Sequence, residues 1–345
     1  MPLRLLRLAA LSAVLLVAGF LVMLALAWFG APVKTTDIVL SQGAAQFFNA
    51  LAAGGIYALI AVGYTMVYGI IELINFAHGD VFMVGAFVAF FVAGPLLLHN
   101  TGSIADPLVL VGSLGLMFLI TMPLLGLLGV GIERFAYRPL RHAPRLAPLI
   151  TAIGVSFILQ NVVQIYTSSP VPTPQLISLQ ARFNVLGASV PYLYLVIIAV
   201  AIVLMVGLQL FVARTRLGRA MRSTAQDREA AQLMGVDINT TIAVTFFIGS
   251  ALPGAAGIVY GLYLGQIQFT MGFFAGLKAF TAAVLGGIGN TVGAALGGMM
   301  IGFIEVAAVV IGVPRWSEAL VFGVLIIVLV MRPSGLLGVP LGERT

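Results

Sequence analysis

Ten apolar stretches separated by short polar connections run along the chain, near residues 8–29, 43–70, 79–98, 108–131, 147–166, 191–213, 241–264, 274–288, 291–312 and 317–332. A helix needs about 20 apolar residues to cross the hydrocarbon core of a bilayer. The pattern therefore predicts an all-α integral membrane protein, a polytopic bundle of about 8–10 transmembrane helices. The stretch at 274–288 is short and glycine-rich, so it is expected to be re-entrant or broken. The first stretch follows Arg4 and Arg7 and ends in Ala27-Trp28-Phe29. It is longer than the about 7–15 residues of a signal-peptide core and closes on the bulky Trp28 and Phe29, so it reads as a retained first helix.

The polar connections orient the bundle. Placing Arg4 and Arg7 inside also puts inside the loop with Arg134, Arg138, Arg141 and Arg145, the polar island from Arg214 to Asn239, and the tail with Arg332 and Arg344. The proline-rich loop from Ser168 to Pro191, whose one charge is Arg182, falls outside. Arginine-rich connections on one side are what the positive-inside rule demands, which supports ten crossings with both termini cytoplasmic. Five helices before residue 170 and five after it would run in opposite directions, the geometry of an inverted five-helix repeat. A weak echo links Gly54-Gly-Ile-Tyr57 to Gly257-Ile-Val-Tyr260.

Composition agrees. The 345 residues are 61% hydrophobic and only 8% charged, against about 25% charged in soluble domains. The formal charge of +6 lies in loops beside apolar spans, which indicates a lipid bilayer rather than nucleic acid as partner. There is no cysteine, and His78, His99 and His142 are scattered, so no metal site and no cofactor is expected. Zincin-like His/Glu spacing, Gly-x-Ser-x-Gly and paired aspartates are missing, so an enzyme is not expected.

Glycines four apart (Gly257, Gly261, Gly265; Gly289, Gly293, Gly297) suit close helix packing in lipid. Leu285-Gly-Gly-Ile-Gly-Asn290 does not match a dinucleotide fingerprint. Polar residues inside spans are costly and usually functional. Tyr57, Tyr64, Asn75, His78, Asp80, Lys278, Thr281 and Glu305 are therefore candidates for a substrate pathway or gate. The Asn75 group is expected near the cytosolic interface; a Lys278–Glu305 pair is conceivable, or Lys278 simply snorkels to the outer interface. In the island, five arginines (Arg214, Arg216, Arg219, Arg222, Arg228) precede or open a predicted short helix that Gly235 ends. No Walker A sequence occurs, so an ATP-driven process needs its ATPase on another chain.

Glu229-Ala230-Ala231 with Gly235 four residues later resembles the coupling loop of bacterial ABC-importer permeases, whose short helix enters a groove on the ATPase. A more specific resemblance rests on Tyr57-Ala-Leu-Ile-Ala-Val-Gly63-Tyr64-Thr-Met-Val-Tyr68-Gly69, on Ile74-Asn75-Phe-Ala-His78-Gly79, on Glu133-Arg134-x-Ala-Tyr137-Arg138-Pro139-Leu140-Arg141, and on Lys278-Ala-Phe-Thr281-Ala-Ala-Val-Leu-Gly-Gly-Ile-Gly289. In order, from about residue 40 to 338, these blocks resemble the H-type permease subunit of high-affinity branched-chain amino acid importers. Residues 1–39 look like an extension.

The resemblance implies one transmembrane permease domain over 1–345, with a cytosolic coupling loop at 214–239 and coupling residues Arg219, Arg222, Glu229, Ala230, Ala231 and Gly235. It also implies a second, M-type permease subunit, two cytosolic ATP-binding subunits, an extracytoplasmic substrate-binding protein, and a bacterial inner-membrane location. Leucine, isoleucine and valine are the expected cargo; urea, short amides or other amino acids are the alternative within the family. An ion-coupled secondary transporter is the alternative from another class.

Overall fold

The computed structural model describes residues 33–338 apart from 74, 98–103, 105, 142, 145, 168–169, 179–180 and 186, and the side chains of 33–41, 95–97 and 107. The expected helix at 8–29, Arg4, Arg7, Arg145 and Arg344 lie outside the described residues. The helices are α1 (Val33–Ile71), α2 (His78–Leu97), α3 (Pro107–Ile132), α4 (Leu146–Tyr166), α5 (Tyr192–Arg214), α6 (Arg216–Gln226), α7 (Arg228–Leu233), α8 (Ile238–Leu264), α9 (Met271–Gly286), α10 (Thr291–Val310) and α11 (Ser317–Met331). A π-turn, Glu133–Tyr137, and a 3₁₀ turn, Arg138–Leu140, continue α3. Seven described helical segments are long and apolar enough to cross a membrane, and two more, His78–Gly94 and Met271–Gly286, are shorter. The chain is an all-α polytopic membrane protein.

Two boundaries differ from the expectation. α1 begins at Val33, ten residues before the hydropathy rise at 43, because no glycine or proline interrupts Val33–Gln42 and polar residues lower hydropathy without breaking a helix. The loop 168–191 is partly ordered. Strands β2 (Arg182–Val185) and β3 (Ala188–Pro191) form a hairpin turned at Gly187, whose φ is +82°. Strand β1 (Val171–Pro172) pairs antiparallel with β4 (Gln266–Ile267), tying this loop to the end of α8.

The core forms where α1 and α8 cross. Gly63 and Gly249 let them meet: a side chain at Gly249 would strike Val67 Cγ2 at 2.7 Å. α1 packs on α10 as α8 packs on α3, and α1 packs on α9 as α8 packs on α2. Likewise α2 packs on α3 and α4 as α9 packs on α10 and α11. Partners thus exchange when the first half is mapped onto the second. Corresponding helices also run in opposite directions, since α1 ends and α8 begins at the end that carries α6 and α7. Both observations match an inverted repeat.

α2 and α9 do not start at the membrane surface. After α1 the chain turns at Glu72, the one described non-glycine residue with positive φ (+58°). Residues 72, 73 and 75–77 are not helical, and His78 Nε2 reaches back to the Ile60 carbonyl at 3.2 Å. Ile60 lies 11 residues before Ile71, about 16 Å of helix. His78 therefore sits near mid-depth, not at the interface where hydropathy placed it. α9 begins close by: a Cβ added at Gly276 would lie 2.9 Å from Gly79 Cα, and one at Gly272 would lie 2.7 Å from the Gly79 carbonyl. The N-termini of two short helices meet inside the bundle. Irregular backbone at this depth is tolerated only where protein or a cavity surrounds it, and Asn75, Ala77 and His78 are buried.

Candidate functional site

At the arginine-rich end the island folds into two short helices instead of one. Thr215 caps α6, accepting from Gly218 N–H at 2.9 Å, and Asp227 caps α7, accepting from Ala230 N–H at 3.0 Å. The extended backbone at Asp227 separates them. α7 ends as the sequence suggested. Gly235 has φ +83°, its N–H donates to the Gln232 carbonyl, and Val236 N–H donates to the Ala231 carbonyl, both at 3.0 Å. This is a left-handed helix terminator.

Arginines strap the two helices to the membrane bundle. Arg222 donates to the Val212 carbonyl in the last turn of α5, and Arg228 Nη2 donates to the Ile70 carbonyl in the last turn of α1 at 2.5 Å. Cationic donors at helix C-termini satisfy orphan carbonyls and complement the helix dipole. Arg219 is exposed. Nearby, the buried Glu133 carboxylate accepts from Arg138 (2.9 and 3.2 Å) and from Arg141, which also donates to Asn239 Oδ1 at 2.7 Å. A groove of about 560 Å³ runs between these parts, lined by Ile70, Glu72, Arg141, Asp227, Arg228 and Glu229.

Of the coupling candidates, Glu229 and Ala230 face outward and Ala231 is buried. Sequence reading missed the tip: Leu233 and Met234 are 88% and 84% exposed beside Gly235. Two adjacent, nearly bare apolar side chains on a polar loop form a small contact surface. Their signal in the sequence was an apolar pair before a helix-ending glycine.

The membrane-depth candidates fall into separate groups. Asn75 Oδ1 accepts from Tyr137 at 2.9 Å, and the Tyr64 ring lies 4.2 Å from that of His78. Asp80 is bonded by Ser156 Oγ (2.5 Å) and Gln160 Nε2 (3.0 Å), neither of which was singled out from sequence. Lys278 Nζ reaches Glu305 at 2.6 Å and Glu318 at 3.7 Å, and lies 6.0 Å from the Tyr57 ring centre. Thr281 is buried and its hydroxyl has no partner among the described residues.

The glycine series divides too. Gly257 packs against the α2 backbone at Phe82 and Ala86, Gly293 against Gly286, and Gly297 against Ala282. Gly261 makes ordinary contact with Thr173 and Ile267. Gly265 and Gly289 belong to turns rather than packing faces, with φ of +71° and +91°.

Comparison with known proteins places this architecture. A family described as the permease component of a branched-chain amino acid transport system matches residues 46–329. The high-affinity branched-chain amino acid transport system permease protein BraD of Pseudomonas aeruginosa is 43% identical over 305 residues, 87% of this chain and 97% of that protein. The corresponding LivH of Escherichia coli is 41% identical over 305 residues, 87% of this chain and 96% of that protein. The fructose import permease protein FruG of Bifidobacterium longum is 24% identical over 244 residues, 68% of this chain and 67% of that protein. No solved structure matches. The chain belongs to the permease component family of branched-chain amino acid transport systems.

Proposed function

We propose that this chain is the H-type permease subunit of an ATP-driven importer of leucine, isoleucine and valine in a bacterial inner membrane. Its partners in this reading are an M-type permease, two cytosolic ATP-binding subunits and an extracytoplasmic binding protein. The substrate follows from the names of relatives above 40% identity, BraD and LivH. The arginines of the 133–141 turn and of the island lie together at one end, beside Ile70, so that end faces the cytosol by the positive-inside rule.

The observation that carries the coupling role is the strapped pair α6–α7 with its bare tip at Leu233 and Met234. The tip enters a groove on an ATP-binding subunit. When ATP closes the two ATP-binding subunits, the groove moves and α7 moves with it. Arg228 hands that motion to the end of α1, from which residues 72–77 lead to the meeting point of α2 and α9. A partner shifts such an equilibrium only by binding its two states unequally, so the tip must fit the nucleotide states differently. Residues 133–141 brace α3 and do not contact the tip in this scheme.

The chain lacks cysteine, so Met234→Cys gives one reactive thiol. In the purified complex it should cross-link to an ATP-binding subunit, with a yield that changes when a non-hydrolysable ATP analogue is added. Glu229→Lys and Gly235→Asp should insert normally but uncouple uptake from ATP hydrolysis. A chain purified as a lone homodimer, or normal uptake by both variants, would overturn the reading.

A further inference from the structure

Asp80 is 1% exposed, lies near mid-depth in the first turn of α2, and pairs with no lysine, arginine or histidine among the described residues. Lys278, by contrast, is met by Glu305 and Glu318. Both donors to Asp80, Ser156 and Gln160, come from α4. That helix is largely exposed and packs chiefly on α2 and the π-turn. A carboxylate offers about four lone-pair sites; the hydroxyl and the amide occupy two of them.

Ser156, Gln160 and Gln164 recur every four residues, so they form one stripe along α4. Gln164 is exposed, toward the end of the bundle that carries the β2–β3 hairpin. Amide side chains at membrane depth face protein or water, not lipid. We propose that this stripe lines the route of the cargo from the hairpin side, and that Asp80 at its inner end is the subsite for the ammonium group of an α-amino acid. The assignment rests on the amino-acid permease reading above. An ammonium supplies three donors and the positive charge that Asp80 lacks within the chain.

The test uses the whole complex in proteoliposomes, with single cysteines in the cysteine-free chain and a membrane-impermeant maleimide added on the hairpin side, read by mass on this chain. Gln164→Cys and Gln160→Cys should label at least about ten-fold faster than the apolar neighbour Ile165→Cys, and leucine delivered by the binding protein should slow labelling of Gln160→Cys. Asp80→Asn should lower leucine uptake per ATP hydrolysed by at least about ten-fold, the weight of one charge-assisted hydrogen bond. Equal labelling of Gln164→Cys and Ile165→Cys, no protection of Gln160→Cys, or a normal uptake ratio in Asp80→Asn would overturn the subsite. The labelling arms decide the matter even where Asp80→Asn fails to assemble. Failure of the unmodified complex to take up leucine with ATP would overturn the permease reading beneath the subsite, and is distinguishable because no substitution is involved.

Discussion

Arg228→Gln tests the strap between the coupling helices and the membrane bundle. The guanidinium donates to the Ile70 carbonyl at 2.5 Å, and the side chain is partly buried. A hydrogen bond with a charged partner contributes about 1.5–3 kcal/mol; partial solvation brings the expected loss to about 1–2 kcal/mol. That energy biases α7 between docked and loose positions by a factor of about 5–30. Since the strap transmits motion and does not hold the fold, the variant should insert and bind its ATP-binding subunits. Leucine uptake per ATP hydrolysed should drop about 5-fold or more, while hydrogen exchange across 228–236 rises. Arg228→Lys keeps a cationic donor and should recover much of the ratio. An unchanged uptake ratio in Arg228→Gln, or an equal loss in Arg228→Lys and Arg228→Gln, would refute transmission through this bond.

Three further outcomes are expected. In Gly298→Leu the new side chain would meet the backbone and the Cβ of Ala58 in α1, the latter at 2.9 Å; overpacking of this kind costs about 1–3 kcal/mol or more, so the detergent-solubilised protein should melt earlier, and an unchanged midpoint would show that α1 and α10 separate easily. Glu133→Gln leaves Arg138 and Arg141 without their carboxylate, and with those arginines one third and one sixth exposed the cost should be about 1–3 kcal/mol, read as a lower unfolding midpoint that Glu133→Asp partly restores. Asp237 is held below the usual carboxylate range, first by the Thr240 hydroxyl, then by the Thr240 and Asn239 N–H groups. Its capping contribution is therefore complete above about pH 4 and lost as pH falls through the lowered value. Amide exchange at Asn239 and Thr240, corrected for intrinsic rates, should speed up there in the native chain and not in Asp237→Asn.

Much of the architecture was legible because a bilayer punishes polar residues so heavily. Runs such as Tyr192–Arg214 and Ile238–Leu264 carry that constraint in their composition, and the island of arginines stands out against them. The return of the chain after α1 was not legible. Hydropathy breaks between 70 and 79, as the chain does, but Leu73, Phe76 and Ala77 carry nothing to say that this non-helical connection turns back into the bundle instead of lying at the interface. Its cues were Asn75, whose side chain accepts from Ala77 N–H at 3.1 Å, and Gly79, which admits the α9 backbone. The break at Asp227 was recoverable from its N-cap chemistry, but the arginines drew attention to charge instead.

Long-range pairs escaped for a different reason. Asp80 meets Ser156 and Gln160 across 76 and 80 residues, and Arg228 meets Ile70 across 158. Nothing local in either partner encodes the other. Lys278 and Glu305 could be proposed together only because so few charges lie within the spans. The glycine series shows the converse error, since spacing by four marked Gly265 and Gly289 for packing while their positive φ assigns them to turns.

The central claim is that this chain is a transport permease driven by ATP hydrolysed on other subunits. Its most direct test is radiolabelled leucine uptake by the reconstituted complex, with proton and sodium gradients collapsed by ionophores. Accumulation should need ATP on the side of α6 and α7 and binding protein on the side of the hairpin, and should survive the ionophores. Uptake that proceeds without ATP and disappears with the ion gradients would contradict it.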